Sequence, residues 1–255
     1  MGDVIQRNPW TELRRYTAAR IALGRAGNSL PTDEILRFGL AHARARDAVH
    51  VPLDVDVLDA SLRADGWSTL RVRSRATDRA CYLRRPDLGR RLDEASVARL
   101  SKELRKGFDL AFVAADGLSP AAVQRHVPPL LQAVRLRLPD ICSAAPLVIA
   151  EQARVALGDE IGALLDANVI VVLIGERPGL SSPDSLGIYL TYGPRLGRTD
   201  AERNCISNVR PEGLPYSAAA TQLERLIRAA IAQRMTGTGL SDPGDALPKD
   251  TGDGK

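Results

Sequence analysis

The side chains best suited to chemistry are few and widely scattered. The histidines and cysteines are His42, His50, His126, Cys81, Cys142 and Cys205. They lack the short spacings of a zinc site, and three distant cysteines are too few for a disulfide framework. No Ser or Cys stands in a nucleophile-elbow motif. The sequence therefore predicts no metal site and gives no positive sign of a catalytic nucleophile.

The usual phosphate-binding patterns are also absent. The sequence contains no G-x-G-x-x-G after a strand and no G-x-x-x-x-G-K-[ST], so nucleotide binding has no motif to support it. Gly175–Gly179 follows an apolar run, but its glycine spacing fits neither pattern. A stand-alone α/β protein that binds a small molecule or nucleotide stays open as the alternative function, and nucleotide titration would test it.

One segment, Val169–Gly213, combines features of a binding site. Its first six residues, Val169–Ile174, form an apolar run with the length of a buried parallel strand. A long stretch rich in Gly, Pro, Ser and Asp follows directly. Ligands of open α/β sheets bind beyond the carboxyl ends of strands, and Glu176 lies just past this one. We expect an ordered, functional loop suited to an amide-bearing ligand or a partner surface.

Hydrophobic periodicity predicts the elements that would position this segment. Helices are predicted over residues 10–23, 32–49 (with Thr32 as cap), 53–64, 93–105, 119 onwards, 154–167 and 218–235. Strands are predicted over 68–74, 109–115, 146–150, 169–174 and 187–192. This order favours an α/β protein in which a helical N-terminal region precedes a doubly wound, Rossmann-like, mostly parallel sheet.

Three regions are expected on the same grounds. Residues 1–105 would be a mainly helical region that contacts a partner, 106–236 the ligand-contacting α/β domain, and 237–255 a disordered tail.

Composition limits the kind of partner. The net charge is +4, and almost all of the 35 basic residues are arginine, interleaved with acids rather than gathered in a block. Aromatic residues make up only 4%, too few for base-stacking platforms, so nucleic-acid binding is not predicted. Arginine is also favoured at protein interfaces. Neither a membrane-length apolar run nor an N-terminal signal core is present, so we expect a soluble, cytoplasmic protein.

Several long blocks carry a resemblance to a known family. They are Thr17–Gly27, His42–His50, Tyr82–Leu92, Val171–Gly187 and Arg203–Leu214. Together they make the chain, from about Trp10 to Met235, closely resemble the light chain (small subunit) of ethanolamine ammonia-lyase. Ungapped blocks of this length are far more specific than a short motif.

The resemblance implies a function. Ethanolamine ammonia-lyase converts ethanolamine to acetaldehyde and ammonia by a radical mechanism that depends on adenosylcobalamin. The family's large subunit, a TIM barrel, carries the catalytic residues, and the light chain clamps the corrin against it in a hetero-oligomer. The family's cobalamin contacts map onto Val155, Glu176 and Cys205 of this sequence.

Three further features bear on this expectation. The D-x-H-x-x-G motif of proteins that replace the cofactor's own base with histidine is absent around the three histidines, as expected for a cobalamin bound with its own base on cobalt. After Met235 the sequence departs from the family's usual ending, which puts any role of that terminus in doubt. Only about nine residues precede Trp10, so packaging in a bacterial microcompartment stays open.

Overall fold

The computed structural model describes residues 4–102, 105–139 and 145–240. Its helices are α1 (Thr32–His50), α2 (Val55–Ala64), α3 (Arg79–Arg84), α4 (Glu94–Ser101), α5 (Pro120–Arg135), α6 (Leu157–Leu165) and α7 (Tyr216–Gln233). Its strands are β1 (Thr69–Arg73), β2 (Leu110–Ala115), β3 (Leu147–Glu151), β4 (Val169–Gly175), β5 (Leu186–Tyr192) and β6 (Asn204–Val209). Short 3₁₀ turns occupy Thr11–Arg15, Leu88–Arg90 and Asp200–Glu202.

The strands form one six-stranded sheet in the order β1-β3-β2-β4-β5-β6. The pairs β1–β3, β3–β2 and β2–β4 are parallel, whereas β5 is antiparallel to both of its neighbours. Only β5 therefore runs against the rest, and the carboxyl ends of β3, β4 and β6 meet at one edge. The predicted α/β class with a mostly parallel sheet is confirmed, and its Rossmann-like detail stays a prediction.

Helices bury both faces of the sheet. One apolar cluster joins the sheet to α2, α5 and α7, and a second joins it to α4 and α6. All seven residues of β4 are buried, which explains why this strand is apolar on both faces. Asp93 caps the N-terminus of α4, where its side chain accepts a hydrogen bond from Ser96 N at 2.7 Å.

The structure corrects several predicted elements. The helix predicted over residues 10–23 is wrong, because only the 3₁₀ turn Thr11–Arg15 forms and Ala22 has a φ of +50°. None of the residues in that turn is buried, and short helices depend on burying an apolar face. Thr32 is the first helical residue of α1 and not its cap, which is Pro31. Strand β6 and helix α3 were not predicted.

The predicted regions relate to the sheet as follows. β1 of region 1–105 pairs with β3 of region 106–236, and the division at residue 105 stays a prediction. In the predicted tail, Gly237 N donates a hydrogen bond to Asn204 Oδ1 at 2.8 Å. Residues 241–255, Cys142 and part of the predicted end of α4 lie outside the described residues.

Candidate functional site

Val155, Glu176 and Cys205 lie on three separate elements on the α6 side of the sheet. Val155 is half-buried in the connection between β3 and α6, and it packs against the apolar cluster on the α6 side. Glu176 directly follows β4. Cys205 is the exposed second residue of β6. The predicted positions at a strand–helix junction and past the valine-rich strand are confirmed.

Tyr189 of β5 lies near Glu176 and Cys205 and shares an apolar cluster with Val155. It pairs with Cys205 across the β5–β6 ladder and with Val172 of β4, and directly paired residues point to the same face. Its half-buried side chain packs against the same apolar cluster as Val155. Burial raises the pKa of the Tyr189 phenol, and a hydrogen bond with the Cys205 side chain and the nearby Glu176 carboxylate raise it further. The phenol therefore stays protonated at neutral pH.

Glycine at position 187 lets Glu176 and Tyr189 come together. A Cβ placed on Gly187 would lie 3.1 Å from a Glu176 carboxylate oxygen and 3.3 Å from the Tyr189 ring. Contacts this short leave no room for a side chain without displacing a neighbour. The absence of a side chain at Gly187 thus allows a carboxylate and a phenol to share one small area.

Glu176 also holds the last part of β6 in place. Both of its carboxylate oxygens accept from Asn208 N, at 3.3 and 3.2 Å, and Asn208 has a φ of +58°. A carboxylate offers about four acceptor positions, and this shared N–H uses only part of that capacity. Glu176 therefore combines a structural contact with acceptor positions left for a ligand.

One face of the β5–β6 ladder is open. Ile188, Leu190, Ile206 and Val209 are buried in the cluster that includes α7. On the other face, Cys205 and Ser207 are exposed, with the thiol 3.3 Å from the Ser207 hydroxyl. Among the helices described here, α5 and α7 make the main contacts with β5, and α7 does so with β6. This open face is made of small or polar side chains, and we call it the β5–β6 face.

A buried ion pair joins the α6 side of the site to β6. Arg203, immediately before β6, donates to both carboxylate oxygens of Asp159 in the first turn of α6, at 2.6 and 2.7 Å. Both side chains are about 3% exposed or less. Arg203 also donates to Thr191 Oγ1 at 2.9 Å. The pair fixes β6, which carries Cys205, relative to the helix that follows Val155.

A second buried carboxylate, Asp116, fixes the connection that carries Val155. Asp116 follows β2 and accepts from Gln152 N at 2.8 Å and Ala153 N at 2.9 Å. Burial raises the pKa of Asp116 to about 6, although these N–H groups favour the charged form. Gln152 has a φ of +52°, so the strained turn depends on these hydrogen bonds.

A cavity of about 740 Å³ opens on the other side of the same edge. Its ionisable lining residues are Arg44, Asp47, Arg125, His126, Asp184, Arg210, Glu212 and Tyr216. Three arginines face three carboxylates there, so the charge selects no ligand of one sign. The buried His126 accepts from or donates to Tyr216 at 2.8 Å through Nδ1, and burial lowers its pKa. His42 and His50 lie on α1, as expected for a helical stretch.

Sequence reasoning missed Tyr189, Asp159, Arg203 and Asp116 as parts of the site. Only Tyr189 had a usable signal, because it lies in the predicted strand 187–192. Within the described ranges, no group of three or more His, Cys, Asp or Glu side chains could hold a metal ion. In the same ranges, no helix is both long and apolar enough to cross a bilayer.

The fold and the site define an open α/β sheet protein whose candidate binding surface is an exposed sheet face, not an enclosed cleft. The family model for the ethanolamine ammonia-lyase light chain matches residues 7–241 of this sequence. The chain belongs to this family. It is 56% identical to the ethanolamine ammonia-lyase small subunit of Azotobacter vinelandii, over 95% of this chain and 92% of that protein. It is 54% identical to the small subunit of Pseudomonas aeruginosa, over 97% of this chain and 92% of that protein. It is also 54% identical to the small subunit of Ralstonia nicotianae, over 93% of this chain and 90% of that protein.

Proposed function

We propose that this chain is the small subunit of an adenosylcobalamin-dependent ethanolamine ammonia-lyase and that its β5–β6 face covers the corrin held by the large subunit. The observation that carries the proposal is an open sheet face in a member of this family. Of its three family-derived contact positions, Val155 and Glu176 follow the carboxyl ends of β3 and β4, and Cys205 lies on the exposed side of β6. When bound, adenosylcobalamin supplies the radical chemistry that converts ethanolamine to acetaldehyde and ammonia.

The side chains present fit a flat ligand fringed with amides. Gly187 has no side chain and Cys205 and Ser207 have short ones, so a broad ring could approach the β5–β6 face closely. Glu176 has acceptor positions for amide N–H groups. Val155 would add an apolar contact, and Cys205 a small polarisable one.

This chain would bind and orient the cofactor and exclude water from one side of it. Radical chemistry needs a closed, dry site, and a half-site on an exposed face becomes closed only when a second polypeptide covers it. Catalytic side chains would then come from the large subunit. This division of labour agrees with the lack of a nucleophile motif or metal-ligand spacing in the sequence.

The N-terminal region supports the proposed subunit contact. Trp10, Tyr16, Leu36 and Leu40 are all more than half exposed, and aromatic residues together with arginine are enriched in protein interfaces. Buried Glu34 holds the region in place through Arg14 at 2.8 Å and Arg37 at 3.0 Å. We propose that this organised apolar surface contacts the large subunit.

Co-expression with a large subunit tests the proposed function. We expect ethanolamine deamination only when both chains and adenosylcobalamin are present. Activity from this chain alone, or from the pair without cobalamin, would contradict the shared site.

Glu176→Ala tests the location of the cofactor in the same assembly. We expect weaker cobalamin affinity, measured by equilibrium dialysis, while size-exclusion chromatography still shows the assembled complex. Unchanged affinity would remove Glu176 from the site.

A further inference from the structure

We propose that Glu176 and Tyr189 act as an acceptor–donor pair that binds one primary-amide group of the ligand. The inference rests on the proposed function, because that function supplies a ligand whose rim carries primary amides. It assigns Tyr189 a binding role that the family-derived positions do not include.

The geometry brings a matched pair of polar groups to one place. Glu176 and Tyr189 both approach the same side of Gly187, at 3.1 and 3.3 Å from the position of a Cβ there. An ionised carboxylate only accepts hydrogen bonds, whereas a protonated phenol can donate one. A primary amide needs both, because its N–H groups donate and its carbonyl accepts.

The two side chains are also held in place before a ligand arrives. Asn208 N fixes the Glu176 carboxylate, and the ring of Tyr189 packs against the apolar cluster shared with Val155. Burial, a hydrogen bond with Cys205 and the Glu176 carboxylate all raise the pKa of the phenol, so the hydroxyl stays protonated in the neutral range and would turn from Cys205 to the amide carbonyl of the ligand. Groups that are already oriented lose little side-chain entropy on binding.

Tyr189→Phe is the direct test, because it removes the hydroxyl and keeps the ring. In the assembled enzyme we expect adenosylcobalamin affinity, measured by equilibrium dialysis, to fall about three- to tenfold, as for one lost neutral hydrogen bond. Tyr192→Phe is the matched control, because Tyr192 lies on the same strand but packs against the opposite cluster. We expect the control variant to bind like the wild type.

A double variant tests whether the two groups bind the same amide. If they do, Glu176→Ala combined with Tyr189→Phe should weaken binding by less than the product of the two single effects. Effects that multiply, or a Tyr189→Phe variant that binds like the wild type, would overturn the inference and leave the proposed function standing. A wild-type assembly that does not bind cobalamin would overturn the proposed function, and the inference with it.

Modified cofactors give a test that does not depend on the folding of the Tyr189 variant. Cobalamins with a single amide hydrolysed to a carboxylate should include one isomer that the wild-type assembly binds markedly more weakly, because Glu176 repels the new charge. Glu176→Gln should remove this discrimination. Discrimination that Glu176→Gln leaves unchanged, or no discrimination at all, would contradict the proposed pair.

Discussion

Replacing Arg203 with methionine should remove a large part of the stability of this chain. Arg203→Met leaves the Asp159 carboxylate buried without its bidentate partner at 2.6 and 2.7 Å. Breaking a buried ion pair from one side costs about 3–5 kcal/mol, against a total stability of about 5–15 kcal/mol for a typical protein. The substitution also removes the donor to Thr191 Oγ1.

Urea unfolding of the purified chain, followed by circular dichroism, measures the effect. With an m-value of about 2–3 kcal/mol per M, the expected loss lowers the midpoint by about 1–2.5 M. The deficit should shrink as the pH falls, because burial favours the neutral acid once the guanidinium is gone. Adding Asp159→Leu should recover much of the loss, since no buried charge is then left unpaired.

Arg85→Met provides a matched control. Arg85 pairs with Asp87 at 2.7 Å, but both side chains are about 60% exposed, at 61% and 59%. We expect this substitution to change stability by less than about 1 kcal/mol. The reasoning would be refuted if Arg203→Met cost no more than this control, or if the double variant were as unstable as Arg203→Met alone.

Three further changes probe other parts of the scaffold. Gly158→Ala should cost about 1–3 kcal/mol in urea unfolding, because the new Cβ would lie 2.4 Å from a Val172 methyl; an unchanged midpoint would contradict this packing. The pKa of the Asp116 carboxyl is about 6 in the folded chain and about 4 in the unfolded chain. This group should therefore add to the free energy of unfolding fully below about pH 4, and that contribution should be lost as the pH rises through about 6. Asp116→Asn should abolish that component, so equal pH dependence of wild type and variant in thermal melts would argue against it. Leu36→Asp, at a side chain 68% exposed, should weaken assembly with the large subunit in analytical ultracentrifugation while leaving the melting temperature of the isolated chain unchanged; full assembly would exclude this surface.

Local sequence patterns predicted the elements that are fully buried strands or helices with one apolar face. The β4 prediction was accurate because seven consecutive buried residues must be apolar whatever their neighbours are. α2 and α7 were predicted within two residues at each end, since their apolar faces repeat at the helical period. The residues 10–23 show the opposite case, in which a helical pattern had no surface to pack against and formed only a single turn.

Strand β6 was missed because its sequence carries no apolar run. Its burial alternates irregularly, with Ile206 and Val209 inside and Cys205 and Ser207 outside. A strand of this kind is defined by the hydrogen bonds that β5 provides, and these join residues that are far apart in sequence. The open face that carries the proposed function therefore could not be predicted as a face.

The sequence by itself determined the family and the α/β class, because long sequence blocks and periodic apolar residues are written directly in the chain; Val155, Glu176 and Cys205 as cofactor contacts stay predictions from that family. Only the tertiary structure decided that Tyr189 lies near both Glu176 and Cys205 and that Asp159 and Arg203 connect α6 with β6. These contacts depend on strand register and on charges desolvated side by side. Neither property belongs to any single stretch of sequence.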